Sequence, residues 1–499
     1  MKILHLIISA MTVVTANAVT YQEFYVQTTG SNLNAGSTNT DAATRTYASG
    51  NWDGTTGVFT VASGNPQTDG VTSGQFASVY ANGSTFTGFV GRITGVTTST
   101  ITVSLTAKSG TIPTTGVGTV SLKVGGAWSG PSGASGFPFG WYSAAMTNSA
   151  SDTVRINFKS ATYNITAAIV HTLDGRTIFQ GYGTSPGDEG KATLDGGTSG
   201  SYYTLLKFDA GAGDTDSTIA DFIFQNNGAS GSSTNAHGLH MNSGGFNAWR
   251  CVARNIAGNG FLHQGVGILA NCEAYACNQA NNTAQAGIAT ASGGAQVWQC
   301  ISHHNTGSNA DGFRVGSSSH FLNCISWANG RHGFNITAGS VRSIQQCDAY
   351  ANGGAGINVT STVKGGTVIE NCNLIKNTGA GIDVNNALAA GVIANCGFGA
   401  GTAANTAGNV LENLALDLTA SVNYASNSLP WSGADTGNFT ISLAAAKNAG
   451  RGVFVQSDGG TTIGTPDIGA AFAADAGGGG GEASNLNTNN LTIGTLDIQ

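Results

Sequence analysis

Ionisable side chains are scarce in this chain: charged residues make up 9% of 499. Against that background residues 300–350 stand out, holding His303, His304, Asp311, Arg314, His320, Arg331, His332, Arg342 and Asp348. Arginine's planar fork grips a carboxylate through two parallel hydrogen bonds, and histidine exchanges a proton near neutral pH. Arg314 or Arg331 holding an acidic sugar, with His332 as base, would make a metal-free lyase. These three are the candidate catalytic residues. Spacing defines a second set. Three residues after successive cysteines stand Arg254, Tyr275, His303, Trp327, Tyr350 and Ile375. If the cysteines point inward, strand alternation turns this column outward. Tyr275, His303, Trp327 and Tyr350 then form an exposed stripe of rings suited to stacking on sugars. Asp311 joins them as a candidate glycan contact. Nucleophile-elbow, dinucleotide and phosphate-loop patterns find no supporting context, so no cofactor is expected.

The elements that must carry these residues repeat. Cysteines fall at 251, 272, 300, 324, 347, 372 and 396, a mean spacing of about 24. Asn305, Asn329, Asn352 and Asn377 follow them at a fixed offset. A Gly-apolar-x-apolar strand comes next in each unit, as in Gly312-Phe313-Arg314-Val315 and Gly333-Phe334-Asn335-Ile336. A fixed period of this length decides the architecture before any other feature. Gly, Asn, Thr and β-branched residues dominate, which excludes helical repeats. Three short strands per unit, separated by Gly/Asn turns, describe one coil of a parallel β-helix. Coils stack at the strand spacing of ~4.8 Å, so equivalent residues form Cys, Asn and apolar ladders. Inward parallel cysteines in register suit free buried thiols better than bridges, whose Cβ atoms sit about 3.8 Å apart. Cys277 lies off the ladder and is a potential partner for Cys272. No Cys-x2-Cys pair exists, so no zinc site is expected.

These repeats resemble the right-handed parallel β-helix of the pectate-lyase-like superfamily. Phe24 to Ser37 is similar to the opening signature of many such secreted proteins, and Thr465-Pro466-Asp467-Ile468-Gly469-Ala470 resembles their closing segment. Asn309-Ala310-Asp311-Gly312-Phe313, followed by Cys324-Ile325-Ser326-Trp327-Ala328-Asn329, resembles the core of family-nine pectate lyases. That resemblance implies a calcium ion held by aspartates and a lysine base. Asp311 matches the first ligand, but Arg331, His332 and Asn335 occupy the positions of the other three. No lysine occurs between Lys207 and Lys364. Arginine and histidine repel a hard cation, so the calcium-lyase reading fails on its own motif.

The expected fold is therefore all-β, a right-handed parallel β-helix of about a dozen coils. Residues 47–124 break the ladder and read as short antiparallel strands, a small inserted β-barrel or cap. Residues 1–18 read as a secretory signal peptide, with Lys2, an apolar stretch and Ala16-Asn17-Ala18. The division is then 19–46 for the start of the β-helix, 47–124 for the insertion and 125–472 for the β-helix proper. Residues 473–499 form a Gly-rich linker and tail. With 19 Lys+Arg against 26 Asp+Glu and a net charge of −7, there is no basic footprint for nucleic acid. No run approaches the ~20 apolar residues of a membrane span. The expected partner is a polysaccharide or cell-surface glycan, recognised outside the cell or on a virion by a non-catalytic or degenerate β-helix. A lyase or hydrolase acting on an acidic glycan is one alternative. A purely structural, self-associating surface protein, as a homo-oligomer, is the other.

Overall fold

A computed structural model describes residues 21–441, apart from internal stretches of which 129–152 and 400–414 are the longest. The expected leader, the closing segment Thr465–Ala470 and the tail 473–499 lie outside the described residues. The repeats form a parallel β-solenoid with three faces. The first sheet has twelve strands, the second eleven and the third nine. One coil runs from Gln296–Trp298 in the first sheet to Ile301–His303 in the second and Asp311–Val315 in the third. It returns to the first sheet at His320–Leu322. The dozen coils expected are corrected: the third face carries nine strands, so fewer coils are complete on all three faces among the described residues.

Register places like upon like. Val297, Phe321, Ile344 and Ile369 are consecutive partners in the first sheet, and Phe313, Phe334, Ile357 and Ile382 in the third. All eight are buried. Phe313 and Phe334 lie face to face, centroids 4.7 Å apart. The chain passes between sheets through single residues in the left-handed region. Arg250, Asn271, Gln299, Asn323, Gln346 and Asn371 turn the first sheet into the second, with φ of 52–56°. Each stands immediately before a ladder cysteine. Asn255, Ala276, His304, Ala328, Ala351 and Lys376 end the second-sheet strands in the same way. Non-glycine residues there carry strain of order 1 kcal/mol each, and hydrogen bonds at the same corners offset it. Asn305 Nδ2 donates to Asn329 Oδ1 (2.7 Å), Asn329 Nδ2 to Asn352 Oδ1 (2.9 Å) and Asn352 Nδ2 to Asn377 Oδ1 (2.9 Å). Gly312 must lack a side chain here, because a Cβ would come within 2.1 Å of Ser326 Oγ.

All eight cysteines are free and buried. The Cys272–Cys277 pairing is therefore corrected. The two flank the strand Glu273–Tyr275 at opposite corners, and Cys277 fills the place in its coil that asparagine fills later. Its N–H donates to Asn305 Oδ1 at 2.7 Å.

The insertion is a closed six-stranded antiparallel barrel spanning Arg45 to Val124. Its interior holds Trp52, Phe59, Phe89, Ile93, Ile101 and Leu122. Two of its strands, Arg45–Asp53 and Gly116–Val124, escape the sequence pattern. The first is bulged at Gly50, and Phe59 occupies the space a Cβ would need there. Strand Tyr21–Val26 precedes the barrel and pairs in parallel with Thr153–Lys159 after it. Phe76 and Val90 of the barrel belong to the solenoid's core cluster. Phe76 meets Phe24 at 5.0 Å, and Phe24 stacks on Trp128 at 5.3 Å.

Candidate functional site

Asp311 opens its third-sheet strand one coil before Arg331 and His332, and the solenoid step brings the three together. Arg331 Nε donates to Asp311 Oδ1 at 2.7 Å and its Nη2 to Oδ2. Asn335 Nδ2 adds a bond to Oδ2 at 2.7 Å and the His332 N–H one to Oδ1 at 3.2 Å. The carboxylate is 0% exposed and its oxygens are saturated by donors. Asp311 is thus corrected as a glycan contact: a ligand cannot reach it. Nor do these residues fit a calcium ion. The groups that surround Asp311 are hydrogen-bond donors, and a hard cation requires oxygen ligands. No group of three metal-ligating side chains occurs among the described residues.

His332 Nδ1 accepts the Ala355 N–H at 3.0 Å, which leaves the ring proton on Nε2 in the neutral form. Burial lowers its pKa, against a pull upward from Asp311. The imidazole is therefore neutral at pH 7, and its free nitrogen already carries a proton. Arg314 differs from Arg331. Its Nε donates to Thr337 Oγ1 at 3.3 Å and its Nη1 to the Ala284 carbonyl, both neutral acceptors. Burial lowers its pKa, opposed by Asp311, while Arg331 adds repulsion.

On the second sheet, Arg254, Tyr275, His303, Trp327, Tyr350 and Ile375 are consecutive register partners. Tyr275 stacks on His303 at 5.2 Å, and His303 on Trp327 at 5.0 Å. The expectation of ring faces open to sugars is corrected by this geometry. His303 has both faces covered, by Tyr275 and Trp327. Tyr350 is corrected too: it is 1% exposed, with the Lys376 ammonium over its ring and bonded to its hydroxyl at 2.9 Å. His303 Nε2 bonds Glu273 Oε1 at 2.9 Å, and its Nδ1 meets His304 Nδ1 at 2.8 Å. The bond from His303 holds the Glu273 carboxyl below its usual range. Arg254 reaches the Tyr275 hydroxyl at 3.2 Å.

A further polar cluster on the third sheet is absent from the sequence reading. Lys207 and Asp209 form an ion pair at 2.9 Å, and Asn242 Nδ2 donates to Asp209 Oδ1 at 2.7 Å. His240 Nε2 lies 2.8 Å from Gln264 Oε1. These residues are spread over 58 positions, all but Gln264 upstream of the cysteine ladder. Extending the apolar-x-apolar alternation to Leu206-Lys207-Phe208-Asp209 and Leu239-His240-Met241-Asn242 would have found most of them.

Fold and site together define a parallel β-solenoid with an inserted barrel and polar outer faces. No family model matches the chain, and no curated protein matches it significantly. Among solved structures it is similar to pectate lyase Pel9A, with a TM-score of 0.41 and 16% identity over 68% of this chain and 92% of that one. It is similar also to the A-module of the Azotobacter vinelandii mannuronan C-5 epimerase AlgE4, with a TM-score of 0.38 and 12% identity over 55% of this chain and 89% of the other. A third is the catalytic unit of an α-1,3-glucanase from Streptomyces thermodiastaticus, with a TM-score of 0.30 and 9% identity over 74% and 88%.

Proposed function

We propose that this chain is an extracellular or virion-surface solenoid that recognises an acidic polysaccharide without cleaving it. One contrast carries the reading. Asp311, Arg331 and Asn335 consume one another's bonds, whereas Arg314 is a half-buried cation bonded only to neutral acceptors. Such a guanidinium gains from an anionic ligand, because a partly desolvated charge is stabilised by an opposite one. His332 is not a free base for proton abstraction, since its Nδ1 accepts the Ala355 N–H. Tyr275, His303 and Trp327, with Glu273 and Arg254, supply a second polar face for sugar hydroxyls. The barrel serves as the cap of the first coil, Phe76 covering Phe24.

The test pairs a glycan array with an absorbance assay for unsaturated uronate products. Binding without product is expected. Arg314→Ala should lower affinity for carboxylated polymers about tenfold, the ~1.4 kcal/mol of one charge-assisted bond, and added salt should imitate it. Trp327→Ala should weaken binding less, because His303 already covers one face of the ring. Product formed by the unaltered protein and lost in Arg314→Ala would establish a lyase instead. An array without hits would leave the structural reading.

A further inference from the structure

At the end of the second-sheet strand Ile301–His303, two imidazoles face each other through like nitrogens. His303 Nδ1 lies 2.8 Å from His304 Nδ1. On its other edge His303 Nε2 lies 2.9 Å from Glu273 Oε1. A carboxylate only accepts, so the Nε2 proton belongs to His303 and its Nδ1 presents a lone pair. His304 then supplies the one proton held between the two rings. The His303 ring is fixed by Glu273 at its edge and by Tyr275 and Trp327 on its faces. His304 is exposed and holds a left-handed backbone, φ 50°. Ala276 and Ala328 occupy the same corner in the coils on either side, and their methyl groups leave the His304 ring room to turn.

We infer that this corner binds a divalent transition-metal ion of tetragonal preference, copper(II) before others, through Nδ1 of His303 and Nδ1 of His304. The ion takes the place of the shared proton. Two nitrogens each about 2.0 Å from one ion are about 2.8 Å apart in cis positions of a square-planar or tetragonal site, and about 3.3 Å apart on a tetrahedron. The observed separation of 2.8 Å matches the first geometry and not the second. The ion lies off the line joining the nitrogens, so one ring must swing toward it. His304 swings, being exposed, while His303 stays in its stack. Glu273 then acts as carboxylates do behind metal-bound histidines. It accepts the far ring proton, fixes the tautomer and raises the basicity of the nitrogen that binds the ion. Water completes the coordination, because no third ligating side chain joins the pair among the described residues. No sugar takes part, and the site stands independently of the polysaccharide reading.

Titration of the intact protein with copper(II) and zinc(II) salts, followed by electron paramagnetic resonance and tryptophan fluorescence, tests this. Trp327 stacks on His303 at 5.0 Å and meets His304 edge to face at 4.4 Å. A paramagnetic ion at the corner therefore quenches its share of the emission of seven tryptophans. One equivalent of copper(II) should bind with two nitrogen ligands in its spectrum, and zinc(II) should bind about tenfold more weakly or worse. His304→Gln should lower copper affinity by about tenfold or more. Glu273→Gln should lower it about tenfold without removing a ligand, and it carries the test should the histidine variant fail to fold. Trp327→Phe should abolish the quenching and leave the copper spectrum in place, which separates this corner from the other histidines. Copper affinity unchanged in both His304→Gln and Glu273→Gln overturns the site. Quenching that persists in Trp327→Phe overturns it too, and zinc bound as tightly as copper overturns the tetragonal assignment.

Discussion

In the barrel, Trp52, Phe59, Phe89 and Leu122 each meet a different set of neighbours; in the solenoid, Phe313, Phe334 and Ile357 meet copies of the same position. Barrel strands pair with neighbours through antiparallel ladders and close upon themselves. Solenoid strands are mostly three residues long and pair only with the coils above and below. Short strands leave many corners, and side chains satisfy those corners. The asparagine ladder has no counterpart among the described barrel residues, whose polar contacts lie nearer the rim, as between Ser121, Asn82 and Ser49. A closed barrel thus concentrates its stability in one local core, and a stacked solenoid divides it among equal interfaces.

The sharpest way to break this comparison is to open a cavity in each core. Phe334→Ala should destabilise by about 3–5 kcal/mol, because the ring is fully buried between Phe313 and Phe321. Phe59→Ala should lower stability comparably, but in a separate calorimetric transition belonging to the barrel. A single transition moved equally by both variants would mean that the Phe24–Phe76 contact joins the two parts into one cooperative unit.

A smaller effect tests the ladder itself. Asn329 Oδ1 accepts from both the backbone N–H and the side chain of Asn305. Asn329→Ala leaves these buried donors unpaired at about 2–3 kcal/mol, measured by denaturant unfolding. Ser121→Ala in the barrel, nearer solvent, should lose about 1 kcal/mol or less. Equal losses would remove the distinction between corner-built and ladder-built interiors.

The smallest effect concerns the second sheet's outer column. Glu273 has its pKa lowered from 4.5 by the bond from His303. A carboxyl with a depressed folded-state pKa adds stability above its unfolded pKa, and that stability fades as pH falls through the folded value. The melting-temperature gap between the unaltered protein and Glu273→Gln should therefore be present at pH 6 and shrink as pH falls below the ordinary glutamate value. A gap unchanged by acidification would assign the bond a neutral, packing role.

How far the molecule was legible differs along the chain. The solenoid was legible because a repeat writes each contact several times. Cys324 beneath Cys347, or Asn329 beneath Asn352, follows from counting residues. The barrel was legible as a break in that pattern and as four of its strands. Arg45–Asp53 and Gly116–Val124 were hidden by bulges and by glycines that leave alternation irregular. At the candidate site, counting brought Tyr275, His303 and Trp327 into one column but could not orient their rings.

The sequence by itself determined which residues share a coil position, since register in a solenoid is arithmetic on the period. Chemistry at each position was decided only by the tertiary structure. Asp311 met Arg331 because one turn of the chain carries the guanidinium to the carboxylate, and that pairing removed both from the set of available groups. Tyr350 occupies an outward position yet is buried, because exposure depends on what packs over a face. Lys207, His240 and Arg314 are spread over 108 residues and become one column because parallel strands align what the chain separates.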